Sequence, residues 1–229
     1  IDVPTSLLAM IDASIGGKVG VDLPAGKNLV GAFHPPLLTI SDMTTLHTLP
    51  GREFRSGLAE MIKAGVIGDA ALFEMFEAGE TDLPEMMRRA IQVKVDVVRE
   101  DPFEQGRRAA LNLGHTIGHG LEAASKFELL HGEAIAIGLV AEARLAERIG
   151  LARSGVAERI EHVIERVDLP TRFVDLDIAE IVGLMQADKK KTGGRLKYAL
   201  PRDIGDVVIG ANVKDEVVVD VLNEMRESA

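Results

Sequence analysis

The stretch Leu111–Gly120 reads LNLGHTIGHG, and the four-residue step from His115 to His119 decides how the chain around it is read. In a helix, residues four apart share one face, with Cβ atoms about 5–6 Å apart. A helix is therefore expected through 109–125. The HExxH helix of zinc proteases carries the same histidine spacing, but there a Glu follows the first His as general base. Here Thr116 takes that position. Two shared ligands or two imidazoles with separate tasks both fit the spacing. Extended backwards, Arg108, Asn112, His115 and His119 recur at steps of three or four, which predicts one continuous polar stripe along that helix. Such a stripe lines either water or a pocket, and residues this diverse favour a pocket.

Outward from this segment the chain keeps helical periodicity. Arg52 to Ile67 places Phe54, Leu58, Met61 and Ile62 at helical spacing, and Asp69 can cap a second helix to Ala78. A third helix is expected after Thr81 or Asp82, with Pro84 early in it. HGEAIAIGLVAEARLAERIG (131–150) reads as a long amphipathic helix stopped at Gly150. Further helices are expected over 155–166 and 178–187. RLKYALPRDIGDVVIG (195–210) alternates instead, and reads as a small β-hairpin.

Residues 1–50 differ in character, being rich in Gly and Pro with short apolar clusters. Leu37–Asp42 (LLTISD) reads as a buried strand, and Ser14–Phe33 (SIGGKVGVDLPAGKNLVGAF) as an ordered glycine-rich loop. That loop fails as a nucleotide P-loop. Five residues, not four, separate Gly20 from Gly26, and Asn28 stands where a magnesium-binding Ser or Thr is required. What survives is Lys18 and Lys27 on a backbone that an anion can approach closely, or simply two solvated lysines in a turn. The expected organisation is 1–50 as the tail of an α/β domain and 51–229 as a helical domain. Because the chain opens IDVPTSLLAM in mid-element and without Met, a preceding segment is expected.

The 229 residues include no Cys, which excludes thiolate metal sites and disulfides and fits a reducing cytoplasm. Acids outnumber bases 36 to 26, for a formal charge of −10, which argues against nucleic acid and anionic membrane surfaces as partners. A metal would need His and carboxylate ligands. His115 and His119 share a helix, and His131 opens the next. Glu60 is odd, because its neighbours Leu58, Ala59, Met61 and Ile62 look buried; a carboxylate there is costly unless paired or metal-bound. The alternative is Glu60 on a solvated side, with the histidines hydrogen-bonded structural residues. Lys63 shares a helix face with Glu60, Lys94 interrupts the apolar face IQVKVDVV, and Lys189–Lys191 form a run that is ordinarily a solvated loop.

IDASIGGKVGVDLPAGKNLVGAFHPP, REFRSGLAEMIKAGVI, LNLGHTIGHGLE, LLHGEAIAIGL and ADKKKTGGRLKYALPRDIGD, in this order, resemble the 3-dehydroquinate synthase family over essentially the whole chain. The resemblance implies an NAD-binding α/β domain followed by a helical metal-binding domain, in a cytoplasmic homodimer. It implies conversion of 3-deoxy-D-arabino-heptulosonate 7-phosphate, a phosphorylated sugar acid, into 3-dehydroquinate and phosphate, with NAD and a divalent metal (zinc or cobalt). The matching motifs imply Glu60, His115 and His131 as metal ligands, so that the two helical histidines divide the labour and His119 faces the substrate phosphate. Lys18, Asn28, Asn112, His119 and Lys190 are implied as the phosphate cradle, and Lys94 and Arg108 as the carboxylate clamp. Asp12, Lys27 and Lys63 fall near the reacting hydroxyls. Thr5, Ser6, Lys18, Lys27 and Thr45, Leu46, His47 and Thr48 match cofactor-side positions. Most of the family's dinucleotide-binding loops are absent from this stretch, which by itself is expected to turn over little. The nearest alternative is another sugar-phosphate cyclase, whose substrate lacks the carboxylate; a non-catalytic helical fragment is the more distant one.

Overall fold

The computed structural model describes residues 1–227, apart from 24, 25 and 193–195 in the backbone and apart from 22–29 and 188–195 in the side chains. It is mainly helical. α1 (Gly51–Gly68), α2 (Ala70–Ala78) and α3 (Leu83–Glu100) follow the apolar periodicity of their sequence. Asp69 caps α2 by accepting from the Leu72 amide at 3.0 Å. Asp82, not Thr81, caps α3 at the Glu85 amide, with Pro84 in the first turn where its missing N–H costs nothing.

The centre of the molecule is α5 (His131–Arg148), against which α4 (His115–Ala124), α1 and α6 (Val156–Arg166) pack. The expected amphipathic pattern holds only at its ends. Ala134 to Ala143 are buried all round, as befits a helix enclosed by others. Small residues permit this: α4 and α5 meet through glycines. Gly150 (φ 73°) stops the helix in the left-handed conformation, two residues past Arg148. Glu133 accepts from the Leu130 amide at 2.8 Å and takes both arms of Arg52, fixing the first turn where His131 sits.

The strands are short. β1 (Lys18–Leu23) and β2 (Gly26–Phe33) form an antiparallel hairpin, so the loop expected over Ser14–Phe33 is corrected. The glycines masked a period-two pattern: Val19, Val21 and Val30 alternate along the strands with Gly20 and Gly31, which pair directly. The buried strand expected at Leu37–Asp42 is also corrected. Only Thr39 pairs, in a single bridge to Asp2, and Leu37 is 98% exposed; no described strand flanks it to bury its two faces. β4 (Tyr198–Asp203) and β5 (Asp206–Ala211) form the expected C-terminal hairpin, while β3 (Phe173–Val174) and β6 (Arg226–Glu227) make a minimal parallel pair. α7 (Ile178–Thr192) runs longer than expected, and α8 (Asp215–Met225) was missed although Val218, Val221, Leu222 and Met225 stand at helical spacing. Leu7, Met10, Ile11 and Leu46 join the same core as the helices.

The 109–125 helix is broken in two. Arg107–Asn112 is a 3-10 segment, and α4 starts afresh at His115 after Gly114, at φ 77°. The continuous polar stripe does not form: Arg108 is buried and Asn112 exposed.

α2 and α6 are tied by Arg159, which donates to both oxygens of Glu77 at 2.8 Å. That hydrogen bond outweighs partial burial and holds the Glu77 carboxyl below its ordinary 4.5. A carboxyl depressed by folding stabilises above its unfolded pKa and loses that contribution as pH falls through the folded value. Glu77→Gln is therefore expected to lower Tm slightly at neutral pH, with the gap closing below pH 4.5. Thermal melts showing a constant gap down to the acid limit would contradict the assignment.

Candidate metal centre

Glu60 sits mid-way along α1 at 3% exposure, and neither carboxylate oxygen accepts a hydrogen bond from a described residue. The Lys63 ammonium lies against Oε2 and donates to the Leu111 carbonyl at 2.9 Å. Two imidazoles complete the cluster. His115, the first residue of α4, brings Nε2 to 3.7 Å from Glu60 Oε1, and His131, the first residue of α5, brings Nε2 to 3.5 Å from the same oxygen. The three ligand atoms lie within 4.8 Å of one another. The solvated alternative for Glu60 is thereby excluded.

The other ring nitrogens are held as metal-binding histidines require. His115 Nδ1 lies 3.0 Å from the Leu113 carbonyl, and His131 Nδ1 lies 3.5 Å from Glu122 Oε2. The first contact leaves the lone pair of Nε2 facing Glu60. Burial, reinforced by Lys63, pushes the His115 pKa well down and keeps the ring neutral. Burial opposes ionisation of Glu60, but Lys63 and His131 outweigh it and hold the carboxylate charged. For His131, burial is outweighed by Glu122 and Glu60, which raise it to about 9 without a cation. One buried anion and two imidazoles aimed at the same carboxylate oxygen fit a divalent cation of borderline softness such as zinc or cobalt. His119, Glu122 and His131 also lie within 4.8 Å, but there Glu122 already faces the far nitrogen of His131.

Asp12, Lys63 and Lys94 line one narrow cavity with Glu60. Lys94 Nζ binds Asp12 Oδ1 at 2.6 Å and the Asp12 carbonyl at 2.5 Å. Burial lowers the Lys94 pKa against the pull of Asp12. Arg108 donates to the Pro102 and Gly16 carbonyls at 2.7 and 2.9 Å, stacks 5.7 Å from the Phe33 centroid, and keeps a buried Nε–H without a described acceptor. Lys18 and Asn112 converge on one carboxylate, Glu104, which neither spacing nor resemblance singled out. The His119 ring centre is 5.1 Å from that of His115 and 5.8 Å from that of His131.

Among the residues expected to face a cofactor, Ser6 Oγ accepts from the Ala9 amide at 3.3 Å and Thr45 Oγ1 donates to the Asp42 carbonyl at 2.7 Å. Thr48 Oγ1 donates to the Thr45 carbonyl at 3.1 Å. Thr5 and His47 are exposed, whereas the Leu46 side chain enters the core. The side chains of Lys27, Asn28 and Lys190 lie outside the described residues. Two further glutamates were missed in the sequence. Glu122 follows His119 by three residues, and Glu142 stands in the apolar run AIAIGLVAEA, the same signal that exposed Glu60. Glu142 is fully buried; burial raises its pKa to about 8 against the amides of Gly114, Ile117 and Thr116.

The architecture is that of the sugar-phosphate cyclases. It matches the 2-epi-5-epi-valiolone synthase of Streptomyces hygroscopicus subsp. jinggangensis, solved with NAD+ and Zn2+, at TM-score 0.88 and 32% identity, over 97% of this chain and 65% of that one. A 2-deoxy-scyllo-inosose synthase with carbaglucose-6-phosphate, NAD+ and Co2+ matches at TM-score 0.84 and 26% identity, over 97% of this chain and 65% of that one. Within this class the sequence is more specific. Residues 57–191 match the 3-dehydroquinate synthase C-terminal region and residues 1–56 the N-terminal region, so the chain belongs to the 3-dehydroquinate synthase family. The 3-dehydroquinate synthase of Acidithiobacillus ferrooxidans is 46% identical over 99% of this chain, and that of a Synechococcus species 47% over 97%. The chain spans 65% and 64% of the length of these two relatives.

Proposed function

We propose that this chain supplies the metal- and substrate-binding half of a 3-dehydroquinate synthase, a carbon–oxygen lyase acting on 3-deoxy-D-arabino-heptulosonate 7-phosphate. The observation that carries the reading is the buried Glu60 carboxylate, whose Oε1 is faced by two imidazole Nε2 atoms. Glu60, His115 and His131 would hold zinc or cobalt, leaving positions open for the hydroxyls of a diol. When bound, the metal acidifies a substrate hydroxyl and NAD accepts and returns a hydride.

The chain's own residues bind and orient. Lys63, pinned by Glu60 and Leu111, presents a fixed cation beside the reacting hydroxyls. Lys94 and Asp12 hold each other in the same cavity, so a substrate carboxylate would replace Asp12 as the partner of Lys94, and the Arg108 guanidinium is the second cation offered to it. Lys18 and Asn112 together face an anion, a place Glu104 takes here and the substrate phosphate takes in the complex. Thr5, Ser6 and 45–48 form the chain's edge of the NAD site. Holding a dianion and a carboxylate in register over the metal is the larger part of the catalytic task. Cytoplasmic location and a homodimer accompany this reading; no helix among the described residues is long and apolar enough to cross a membrane.

Metal binding is tested first. Zinc at 100 times its Kd contributes about 2.7 kcal/mol, or roughly 5–11 °C in Tm for a chain of this size, reversed by a chelator. An unchanged Tm with no zinc retained on dialysis would remove the site. Substrate class is tested by phosphate release with NAD and zinc present, in a protein containing this chain. The heptulosonate is expected to outrun a sugar phosphate without the carboxylate; the reverse order would favour one of the other cyclases, to which the solved neighbours belong.

A further inference from the structure

Glu142 takes no part in the chemistry above, yet its place is unusual. It is 0% exposed on α5, with Oε2 2.6 Å from the Gly114 amide and Oε1 3.3 Å from the Ile117 amide. These are amides at the start of α4, whose own N-cap, Gly114, has no side chain to satisfy them. Gly138, one turn earlier on α5, is pressed against the same spot: a Cβ there would lie 2.0 Å from the Gly114 carbonyl oxygen. His115 is the first residue of α4, and its Nδ1 contact is to Leu113, the residue before Gly114.

We propose that Glu142 is a positioning residue for the metal site. It serves as a cap lent by one helix to another, setting the height and rotation of His115 relative to His131. α5 thus contributes His131 directly and His115 through Glu142. A buried carboxyl group costs stability wherever it is placed, and a Ser, Thr or Asp at position 114 would cap a helix locally. Position 114 has no room for one: its φ of 77° strains any residue but glycine, and a Cβ there would meet the Leu139 side chain at 3.0 Å and the Ile135 carbonyl oxygen at 3.2 Å. The cap therefore has to reach across from α5.

This inference rests on the metal reading of Glu60, His115 and His131, and the test separates the two. The probe is Co2+ alone, followed by its visible spectrum and by chelator competition for Kd. The chain as it stands is compared with Glu60→Gln, Glu142→Gln, Glu142→Asp and Ile160→Ala, the last a core substitution on α6. Glu142→Gln turns an amide N–H2 toward backbone N–H groups. It is expected to fold by circular dichroism, bind Co2+ about 10–100-fold more weakly, as for other outer partners of metal ligands, and shift the visible bands. Glu142→Asp should recover part of the affinity, and Ile160→Ala should lower Tm with Kd and spectrum intact. Unchanged Kd and spectrum in a folded Glu142→Gln would overturn the positioning role. So would a weakened Kd in Ile160→Ala, which would make the effect one of general destabilisation. If neither Glu142 variant folds even with Co2+, the residue serves folding only and the proposal is likewise overturned. Failure of the unsubstituted chain to bind Co2+, or equal binding by Glu60→Gln, would instead sink the metal reading beneath it.

Discussion

Glu60→Gln is expected to weaken zinc or cobalt binding roughly a hundredfold while also lowering stability without metal. The metal loss follows from the donor set. Apparent zinc affinities of roughly 10–16 kcal/mol for four-ligand sites put one ligand at about 3 kcal/mol, or roughly a hundredfold. An amide cannot replace the charge that Glu60 carries. The stability loss has a different origin, because Lys63 is 3% exposed and would keep its ammonium with no carboxylate beside it. Breaking a buried pair from one side costs on the order of 3–5 kcal/mol. The two effects separate in a double substitution: Glu60→Gln with Lys63→Met should regain much of the stability and none of the metal affinity. Calorimetric titration and thermal melts on the parent and the two variants would check this. A Glu60→Gln protein that binds zinc as tightly as its parent would eliminate the site.

Gly138→Ala is the second large effect, and it acts through packing. The added methyl would meet the Gly114 carbonyl oxygen at 2.0 Å and the Gly118 amide nitrogen at 2.9 Å, both backbone atoms that cannot rotate aside. α4 and α5 would have to part. Overpacking of this kind costs about 1–3 kcal/mol and sometimes more, or roughly 2–12 °C in Tm for a chain of this size. The separation would also carry His115 away from His131, so metal affinity should fall together with Tm. Gly183 in α7 is the control, since a Cβ there meets nothing within 4 Å. Gly183→Ala should stabilise by roughly 0.5–1 kcal/mol from helix propensity alone. Equal melting temperatures for the two variants would contradict a close backbone contact between α4 and α5 at Gly138.

The sequence was most informative where the cause is local. Asp69, Asp82 and Pro84 mark helix starts because a cap interacts with amides two or three residues away. The core faces of α1 and α3 are readable because one face recurs every three or four residues. Glu60 was legible for a related reason: a charge inside an apolar run is a local anomaly. Glu142 carries the same anomaly and was passed over, and α8 was missed although its spacing was plain.

The misreadings have a common source. The helix expected over 109–125 breaks at Gly114, because Gly138 and Glu142 of α5 dictate the backbone there from outside the segment. The glycine-rich hairpin was hidden because Gly20 and Gly31 leave gaps in the period-two pattern that Val19, Val21 and Val30 mark.

By itself, then, the sequence determined the helical architecture and its caps, the absence of thiolate chemistry, and the residue types from which a metal site had to be built. It could do so because propensity, capping and composition are settled among near neighbours. Only the tertiary structure decided that Glu60, His115 and His131 meet, that Glu122 stands behind one ligand and Glu142 beneath the helix of another, and that Lys18 and Asn112 close on Glu104. Those are distances between helices and loops far apart in the chain, set by how closely their small residues let the backbones approach.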